Sequence, residues 1–242
     1  MHRFFVSKNL LEGGEIRLEG ELAHQLSRVL RLVPGSRILL LDGEGYEAEA
    51  ELFNVPKNEA VTAKVSEKRK ASGEPTLKIT LYQALLKGEK LDWMLQKGTE
   101  VGICSFIPVI TERCISERER PERWQKIVRE AAEQSRRGRL PQVHETVSFQ
   151  KALQQMKEST LALVAWENEQ HQTLKQVLNS VEEKPESLSL LIGPEGGLSE
   201  AEVQAACAAG ISCVSLGTRI LRAETAGVIA SALALYHFNE MN

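Results

Sequence analysis

The sequence contains no apolar run long enough to cross a bilayer as a helix. Its longest candidate, residues 228–235, is far shorter than the roughly 20 residues that a membrane-spanning helix needs, and Ser231 interrupts it. The first five residues, MHRFF, lack the apolar core and small-residue cleavage site of a secretory signal peptide. We therefore expect a cytoplasmic protein that makes no membrane contact.

Cysteine is scarce, and its placement excludes two kinds of site. Cys104, Cys114, Cys207 and Cys213 form no CxxC pair, and none of them has a histidine nearby in the sequence. This spacing fits neither a redox-active pair nor a zinc site. We expect no metal, and we expect the four cysteines to be small buried side chains.

The familiar nucleotide-binding motifs are also missing. The glycine-rich stretch 193–197 does not fit GxGxxG because Glu195 occupies the place of the second glycine, and no GxxxxGK[ST] occurs anywhere. The two commonest phosphate-binding loops, those of dinucleotide-binding domains and P-loop nucleotidases, are therefore excluded.

The charge is low overall but unevenly distributed. A net charge of −3 argues against a generic nucleic-acid binder. Residues 75–139, however, carry 13 Lys and Arg against 9 Asp and Glu. This part of the chain could face phosphate while the rest stays acidic, or it could contain ordinary solvated helices.

The first part of the chain predicts a small β-barrel domain, residues 1–72. One helix, predicted over 21–30, interrupts its short strands. Gly, Pro and Asn punctuate the predicted strands, which cover 4–6, 15–18, 37–42, 46–55 and 60–65. The polar stretch 67–75, which ends in Gly, Glu and Pro, predicts the linker to the next domain.

The remainder, residues 73–242, predicts a second domain of the α/β class. Apolar strands alternate with amphipathic helices, a pattern typical of a mostly parallel sheet with helices on both faces. A capping box, Ser199 followed by Glu202, predicts the start of one helix, and Gly210 its end.

Two glycine-containing loops follow predicted strands of this second domain. LLI at 190–192 leads into GPEGG at 193–197, and VSL at 214–216 leads into GTRILR at 217–222. In an open α/β sheet, ligands bind outside the carboxyl ends of strands. The pair therefore predicts a binding site, although two plain tight turns would give the same pattern.

The two loops resemble the signature pair of the SPOUT-class methyltransferases. LIGPEGGLS at 191–199 with LGTRILRAETA at 216–226 is similar to the ribosomal RNA small subunit methyltransferase E family, which methylates N3 of a uridine in 16S rRNA. Further similarity lies in AHQLSRVLRL at 23–32, KGEK at 87–90, QKGTE at 96–100 and EQS at 133–135.

The resemblance implies a fold and a set of partners. The expected fold is a knotted, parallel-sheet SPOUT α/β domain preceded by a small PUA-like β-barrel domain. The expected methyl donor is S-adenosyl-L-methionine, held in the knot of a homodimer. The expected partner is 16S rRNA or the small ribosomal subunit.

The resemblance also implies a donor site built largely from backbone. Trp166 and Glu167 are expected to form its third wall, although Trp166 could equally be a core aromatic. The other expected contacts come from the two loops and the helix that follows them: Gly193, Glu195, Gly196, Leu216, Gly217, Ile220, Leu221 and Thr225.

Methylation at uridine N3 requires removal of the N3 proton and stabilisation of negative charge on the uracil carbonyls. Arg222 is the first candidate for the stabilising cation, because it ends the second loop. It could instead hold a phosphate or pair with Glu224. Either Glu195 or Glu224 could be the general base, and each could equally accept hydrogen bonds from the loop backbone.

Seven basic residues are candidates for RNA contact. Arg28 and Arg31 lie three residues apart and so share a helix face. A cation at a helix C-terminus is favoured without RNA, and a histidine on an apolar helix is often structural. The candidates are Arg3, His24, Arg28 and Arg31 on the small domain and Arg136, Arg137 and Arg139 on the large one.

Two other functions remain open at this stage. The first is another knotted methyltransferase, acting on a tRNA base or a ribose 2′-hydroxyl. The second is a non-catalytic RNA-binding module in ribosome assembly. The sequence does not fix the nucleotide, or whether naked rRNA or an assembled subunit is the substrate.

Overall fold

The structure is a computed structural model that describes residues 1–57, 59–115 and 119–241. It contains two compact units. The first comprises Met1–Glu74 and Ala132–Leu140, and the second comprises Pro75–Ala131 and Pro141–Asn242. Residues 132–140 thus group with the first unit, whereas the predicted domain bounds place them in the larger domain. Within the described ranges, no helix is long and apolar enough to cross a membrane.

The first unit is built on a six-stranded sheet, as its predicted strands indicate. The pairing order is β1-β3-β4-β5-β2, and β6 pairs with β4. All these pairs are antiparallel except β1 with β3. The strands are β1 (His2–Phe5), β2 (Gly14–Leu18), β3 (Arg37–Leu41), β4 (Tyr46–Asn54), β5 (Val61–Val65) and β6 (Arg69–Lys70).

The helical segment of the first unit departs from the prediction of one regular helix. It begins as α1 (Gly20–His24) and continues as a π-helical turn over Gln25–Val29. An i→i+5 turn inserts one residue into the helical repeat. Val29, the last residue of this turn, is 63% exposed. A short 3₁₀ turn, Lys8–Leu11, was not predicted.

The predicted linker 67–75 contains the boundary between the two units, which falls after Glu74, but charged side chains in it have partners within the first unit. Arg69 lies in β6 opposite Glu47 and pairs with that carboxylate at 3.0 Å. Glu74 accepts two hydrogen bonds of 2.9 Å from Arg137. A polar composition signals a linker only when such partners are missing.

The second unit contains a seven-stranded sheet in which every pairing is parallel, which confirms the predicted class. The order is β10-β8-β7-β12-β11-β13, and β9 pairs with β8. Its strands are β7 (Lys78–Ala84), β8 (Ser105–Ile110), β9 (Gln142–Val143), β10 (Val147–Ser148), β11 (Leu161–Ala165), β12 (Ser187–Ile192) and β13 (Ser212–Val214).

Helices cover both faces of this sheet. On one face, Phe149 and Val203 join a buried cluster with Tyr82 and Leu191 of the strands. On the other, Gly227 packs so closely that a Cβ there would lie 3.0 Å from a methyl of Leu81. The helices are α2 (Lys90–Val101), α3 (Pro121–Gln134), α4 (Phe149–Met156), α5 (Leu174–Ser180), α6 (Glu200–Ala208) and α7 (Ala223–His237).

Two local features of this unit were predicted from the sequence, a capping box and the burial of the cysteines. The capping box is confirmed: Ser199 Oγ accepts the Glu202 N–H at 3.3 Å, and Glu202 Oε2 accepts the Ser199 N–H at 2.9 Å. The expectation of four buried cysteines holds fully only for Cys213: Cys104 and Cys114 are partly buried, and Cys207 is exposed on α6. Cys213 is buried, and burial raises its pKa to about 12.

Candidate functional site

Three loops meet at one edge of the second unit's sheet. Ala165, the last residue of β11, lies level with Ile192 of β12 on one side and Val214 of β13 on the other. Because all three strands are parallel, their carboxyl ends share an edge, the usual position of ligands in such sheets. The loops that follow line a cavity of about 440 Å³.

Most of the residues predicted to bind the donor line this cavity. These are Trp166, Glu167, Gly193, Glu195, Leu216, Gly217, Ile220 and Leu221, together with Arg222. Gly196 and Thr225 do not line it. The Gly196 carbonyl accepts a hydrogen bond from Arg113 Nη1 at 3.0 Å, and the Thr225 N–H bonds to the Arg222 carbonyl within the first turn of α7.

The first glycine loop is fixed by close approach to its neighbours. Gly197 has φ +69°, and a Cβ there would collide with the carboxylate of Glu167 in the adjacent loop. The Gly193 carbonyl accepts a hydrogen bond from Gln83 Nε2 at 3.4 Å. Gln83 is 1% exposed, and the sequence analysis missed it. Its signal is a polar residue inside the mostly apolar run 79–86.

The second loop offers backbone donors to the cavity. Gly217 adopts φ +116°, a conformation that side-chain-bearing residues rarely adopt. Within the described part of the chain, the N–H groups of Thr218, Arg219, Ile220 and Leu221 have no hydrogen-bond acceptor. These groups can therefore bind acceptor atoms of a ligand without breaking a bond within the protein.

Lys90 also lines the cavity and was not predicted to do so. Its Nζ lies 2.8 Å from Glu195 Oε1, which also accepts the Lys87 N–H at 3.1 Å. Burial would raise the pKa of Glu195, but the bonds from Lys90 and Lys87 hold that pKa below its usual range. The same hydrogen bond raises the pKa of Lys90. The sequence feature that could have predicted Lys90 is the KGEK motif at 87–90, which is part of the family resemblance.

Arg222 and Glu224 stand side by side where the second loop enters α7. Arg222 is the N-cap residue of α7, and its side chain is 82% exposed. Its Nη1 lies 4.0 Å from Glu224 Oε1, so the two side chains form a long ion pair. The Glu224 side chain is only 12% exposed. The cavity thus places an exposed cation beside a mostly buried carboxylate.

Two of the arginines predicted to contact RNA point inward in the first unit. Arg137 is 4% exposed and holds Glu74 with two hydrogen bonds, so the prediction that it contacts RNA is wrong. Arg3 is 17% exposed and pairs with the buried Glu47 at 3.1 Å. Sequence position does not reveal such partners, which in each case lie more than 40 residues away.

The other five predicted RNA contacts are exposed: His24, Arg28, Arg31, Arg136 and Arg139. Arg31 and Arg136 have φ of +52° and +63°, a left-handed conformation that usually selects glycine. Each sits just after a helical segment whose end is closed by a backbone bond, from Leu32 N–H to the Leu26 carbonyl and from Arg137 N–H to the Ala132 carbonyl.

No metal site accompanies the cavity. Among residues 1–57, 59–115 and 119–241, no group of three or more His, Cys, Asp or Glu side chains is arranged to hold a metal ion.

Family models match both parts of the chain. An RNA methyltransferase domain matches residues 73–235, and an RNA methyltransferase PUA domain matches residues 18–65. The chain is 37% identical to ribosomal RNA small subunit methyltransferase E of Bacillus subtilis, over 98% of this chain and 96% of that protein. The chain belongs to the ribosomal RNA small subunit methyltransferase E family.

Further members of the family are similar along nearly the whole chain. The Synechocystis protein of the same name is 36% identical over 96% of this chain and 76% of its own length. The family member of Neisseria gonorrhoeae, solved bound to S-adenosyl methionine, superposes with a TM-score of 0.89 at 35% identity, covering 98% and 97% of the two chains. The expected fold class, a knotted SPOUT domain preceded by a PUA-like domain, is thereby confirmed.

Proposed function

We propose that this protein transfers a methyl group from S-adenosylmethionine to N3 of a uridine in the 16S rRNA of the small ribosomal subunit. The observation that carries the proposal is the cavity of about 440 Å³ enclosed by the loops after β11, β12 and β13. Its volume lies within the range of small-molecule sites. The N. gonorrhoeae relative bound to S-adenosyl methionine supports the choice of donor.

The cavity residues fit this donor. The donor supplies an electrophilic methyl group on a positively charged sulfur. The unpaired N–H groups of 218–221 can bind acceptors of the adenosine. Gly193 and Gly217, which have no side chain, let the ligand approach the backbone closely, and Leu216 also lines the cavity.

Arg222 is the residue that we assign to charge stabilisation. As N3 becomes a nucleophile, negative charge grows on the two neighbouring carbonyl oxygens of uracil. The guanidinium at the cavity rim presents a planar fork of donors that can meet such oxygens. Its high exposure leaves it accessible to an incoming base.

The exposed basic residues of the first unit form the proposed RNA contact: His24, Arg28, Arg31, Arg136 and Arg139. Left-handed backbone at a residue other than glycine costs roughly 1–2 kcal/mol. Arginine in place of glycine at Arg31 and Arg136 therefore lowers stability, and contact with phosphate is a reason to keep it.

We assign the protein to the cytoplasm, where bacterial rRNA is made, and to a homodimer. The dimer assignment rests on an apolar stripe along α7, formed by Ile229, Leu233 and Tyr236, with 41%, 47% and 70% of their surfaces exposed. Their spacing of four and three residues puts them on one helix face. An exposed stripe of this kind is typical of a protein interface.

The test uses the purified protein and isotope-labelled S-adenosylmethionine. Small-subunit rRNA, assembled small subunits and tRNA are each offered as substrate, and mass spectrometry locates the methyl group. We expect N3-methyluridine at one position of 16S rRNA. Methylated tRNA or a methylated ribose would favour another reaction of the fold.

Binding of the donor is tested separately. At a hundredfold excess over Kd, a ligand that binds only the native state adds about 2.7 kcal/mol to the free energy of unfolding. The melting temperature should therefore rise with S-adenosylmethionine. No rise at any concentration, with RNA binding intact, would identify a non-catalytic RNA-binding module instead.

A further inference from the structure

Three carboxylates line the cavity, and they differ in what each already binds. Glu195 accepts hydrogen bonds from Lys90 Nζ and the Lys87 N–H, both on Oε1. Glu167 is exposed and therefore hydrated. Glu224 is mostly buried, and its Oε2 has no hydrogen-bond partner in the described part of the chain. Among these three, only Glu224 combines a mostly buried side chain with a carboxylate oxygen that has no hydrogen-bond partner among the described residues.

An unpartnered buried carboxylate oxygen is costly unless a ligand supplies a donor. Cationic groups on two elements face Glu224: Arg222 from the second loop at 4.0 Å, and Lys90 from α2, whose pKa Glu224 helps to raise. Glu195, from the first loop, is connected to Glu224 through Lys90, which donates a hydrogen bond to Glu195. These positive charges offset part of the cost of burying the carboxylate, but neither supplies a hydrogen bond to Oε2.

We propose that Glu224 is the general base that removes the N3 proton of the target uridine. This inference rests on the proposed function. The proton passes from N3 to the Glu224 carboxylate, which lines the cavity, and the electron pair of that N–H bond remains on nitrogen. The nitrogen pair then forms the bond to the methyl carbon, while the carbon–sulfur bond breaks and its pair stays on sulfur. The carboxylic acid releases the proton to solvent after the product leaves.

The neighbouring residues acquire separate roles in this scheme. Arg222 faces the uracil oxygens from the rim, while Glu224 accepts the proton from deeper in the cavity. Glu195 is a poor base because the bonds from Lys90 and Lys87 hold its pKa below its usual range. We assign Glu195 to positioning the first loop through Lys90.

The decisive variant is Glu224→Gln, which keeps the size of the side chain but cannot take a proton. A positioned general base contributes roughly 10²–10⁴-fold, so we expect a loss of at least a hundredfold in the single-turnover rate at neutral pH. Calorimetric Kd values for S-adenosylmethionine and for RNA should change less than threefold. Glu224→Asp, which retains a carboxylate, should keep more of the rate.

The test is sharpened by a substrate that loses its N3 proton more easily. Small-subunit rRNA transcribed with 5-fluorouridine in place of uridine has a more acidic N3. We expect it to restore much of the rate of Glu224→Gln while changing the wild-type rate far less. Raising the pH should likewise accelerate the variant more than the wild type, because hydroxide then removes the proton.

Glu195→Gln is the matched control. It changes another carboxylate of the cavity, one that already accepts hydrogen bonds from Lys90 and Lys87. Its rate should respond to 5-fluorouridine as the wild type does. The proposal is overturned if Glu224→Gln keeps its rate, if it loses donor affinity as strongly as rate, or if 5-fluorouridine gives it no advantage. A wild-type protein that methylates no uridine N3 would instead refute the proposed function itself.

Discussion

Arg137 and Glu74 form a two-pronged ion pair inside the first unit, with Nε to Oε1 and Nη2 to Oε2 both at 2.9 Å. The Glu74 carboxylate also accepts the N–H groups of Gly138 and Arg139. Burial alone would raise the pKa of Glu74, but these four bonds hold it below its usual range. The pair joins the two chain segments of the unit, Met1–Glu74 and Ala132–Leu140.

Removing the arginine should therefore be costly. Arg137→Ala leaves Glu74 buried without a cation, a change that typically costs about 3–5 kcal/mol in the free energy of unfolding. Urea unfolding followed by circular dichroism measures this cost. The matched control is Arg136→Ala, an exposed neighbour, which should change stability by less than about 0.5 kcal/mol. Equal stability of the two variants would contradict the structural role of the pair.

The second unit carries an acid-sensitive contact at Glu240. Burial would raise the pKa of Glu240, but hydrogen bonds from Lys184 and Thr76 lower it from 4.5 to about 2. A carboxylate with a depressed pKa in the native state stabilises the protein above its unfolded pKa, and this gain is lost as pH falls. The contribution should therefore be complete above pH 4.5 and disappear towards pH 2.

Glu240→Gln tests this expectation. Its melting temperature should lie below that of the wild type at neutral pH, and the difference should shrink between pH 4.5 and 2. Glu183→Gln, which changes an exposed glutamate adjacent in sequence to Lys184, should follow the wild-type curve throughout. A difference that stays constant down to pH 2 would show that the Glu240 charge is not responsible.

The two left-handed arginines should show opposite effects on stability and RNA binding. Arg31→Gly and Arg136→Gly each relieve a left-handed backbone conformation, so each should raise stability by about 1 kcal/mol. Each should also weaken RNA binding and reduce its salt dependence by about one phosphate contact. Lysine at either position keeps the charge and the strain, so it should change neither property much. An unchanged RNA affinity in both glycine variants would remove these residues from the RNA contact.

Arg222 should act mainly in the transition state. Loss of one preorganised donor to a developing oxyanion costs on the order of 10²–10³ in kcat. Arg222→Ala should therefore reduce single-turnover methylation by that much, and Arg222→Lys should fall between it and the wild type because it keeps the charge without the planar fork. Affinity for S-adenosylmethionine and RNA should fall far less. Recovery of the full rate at saturating RNA would show that Arg222 only binds the substrate.

The apolar stripe on α7 predicts the effect of a charge at the proposed dimer interface. Leu233→Glu places a carboxylate among Ile229 and Tyr236, and burying it without a partner is unfavourable. Sedimentation should therefore show a monomer, or a dimer at least a hundredfold weaker. Val29→Glu, at an exposed apolar residue of the first unit, is the control and should remain dimeric. A wild-type protein that is monomeric at every concentration would remove the dimer assignment.

Much of the fold could be predicted from local pattern. Alternating apolar residues marked β4, and the Ser199–Glu202 capping box marked the start of α6. Glycine-containing loops marked the ends of β12 and β13, since a tight turn after a buried strand restricts the residues that can occupy it. Such features depend on neighbours a few positions away, so the sequence displays them directly. The π-helical turn at Gln25–Val29 does not follow from that pattern.

The sequence by itself determined the alternation of strands and helices, the two loops and the family to which they point. The tertiary structure alone decided which charged side chains have partners. Arg137 contacts Glu74, 63 positions away, and Lys90 contacts Glu195, 105 positions away. Arg136 is therefore exposed beside a buried Arg137, and Lys90 bonds to Glu195 while one oxygen of Glu224 has no partner among the described residues. Periodicity carries information over one or two turns of chain, whereas burial and ion pairing depend on the folded positions of distant segments.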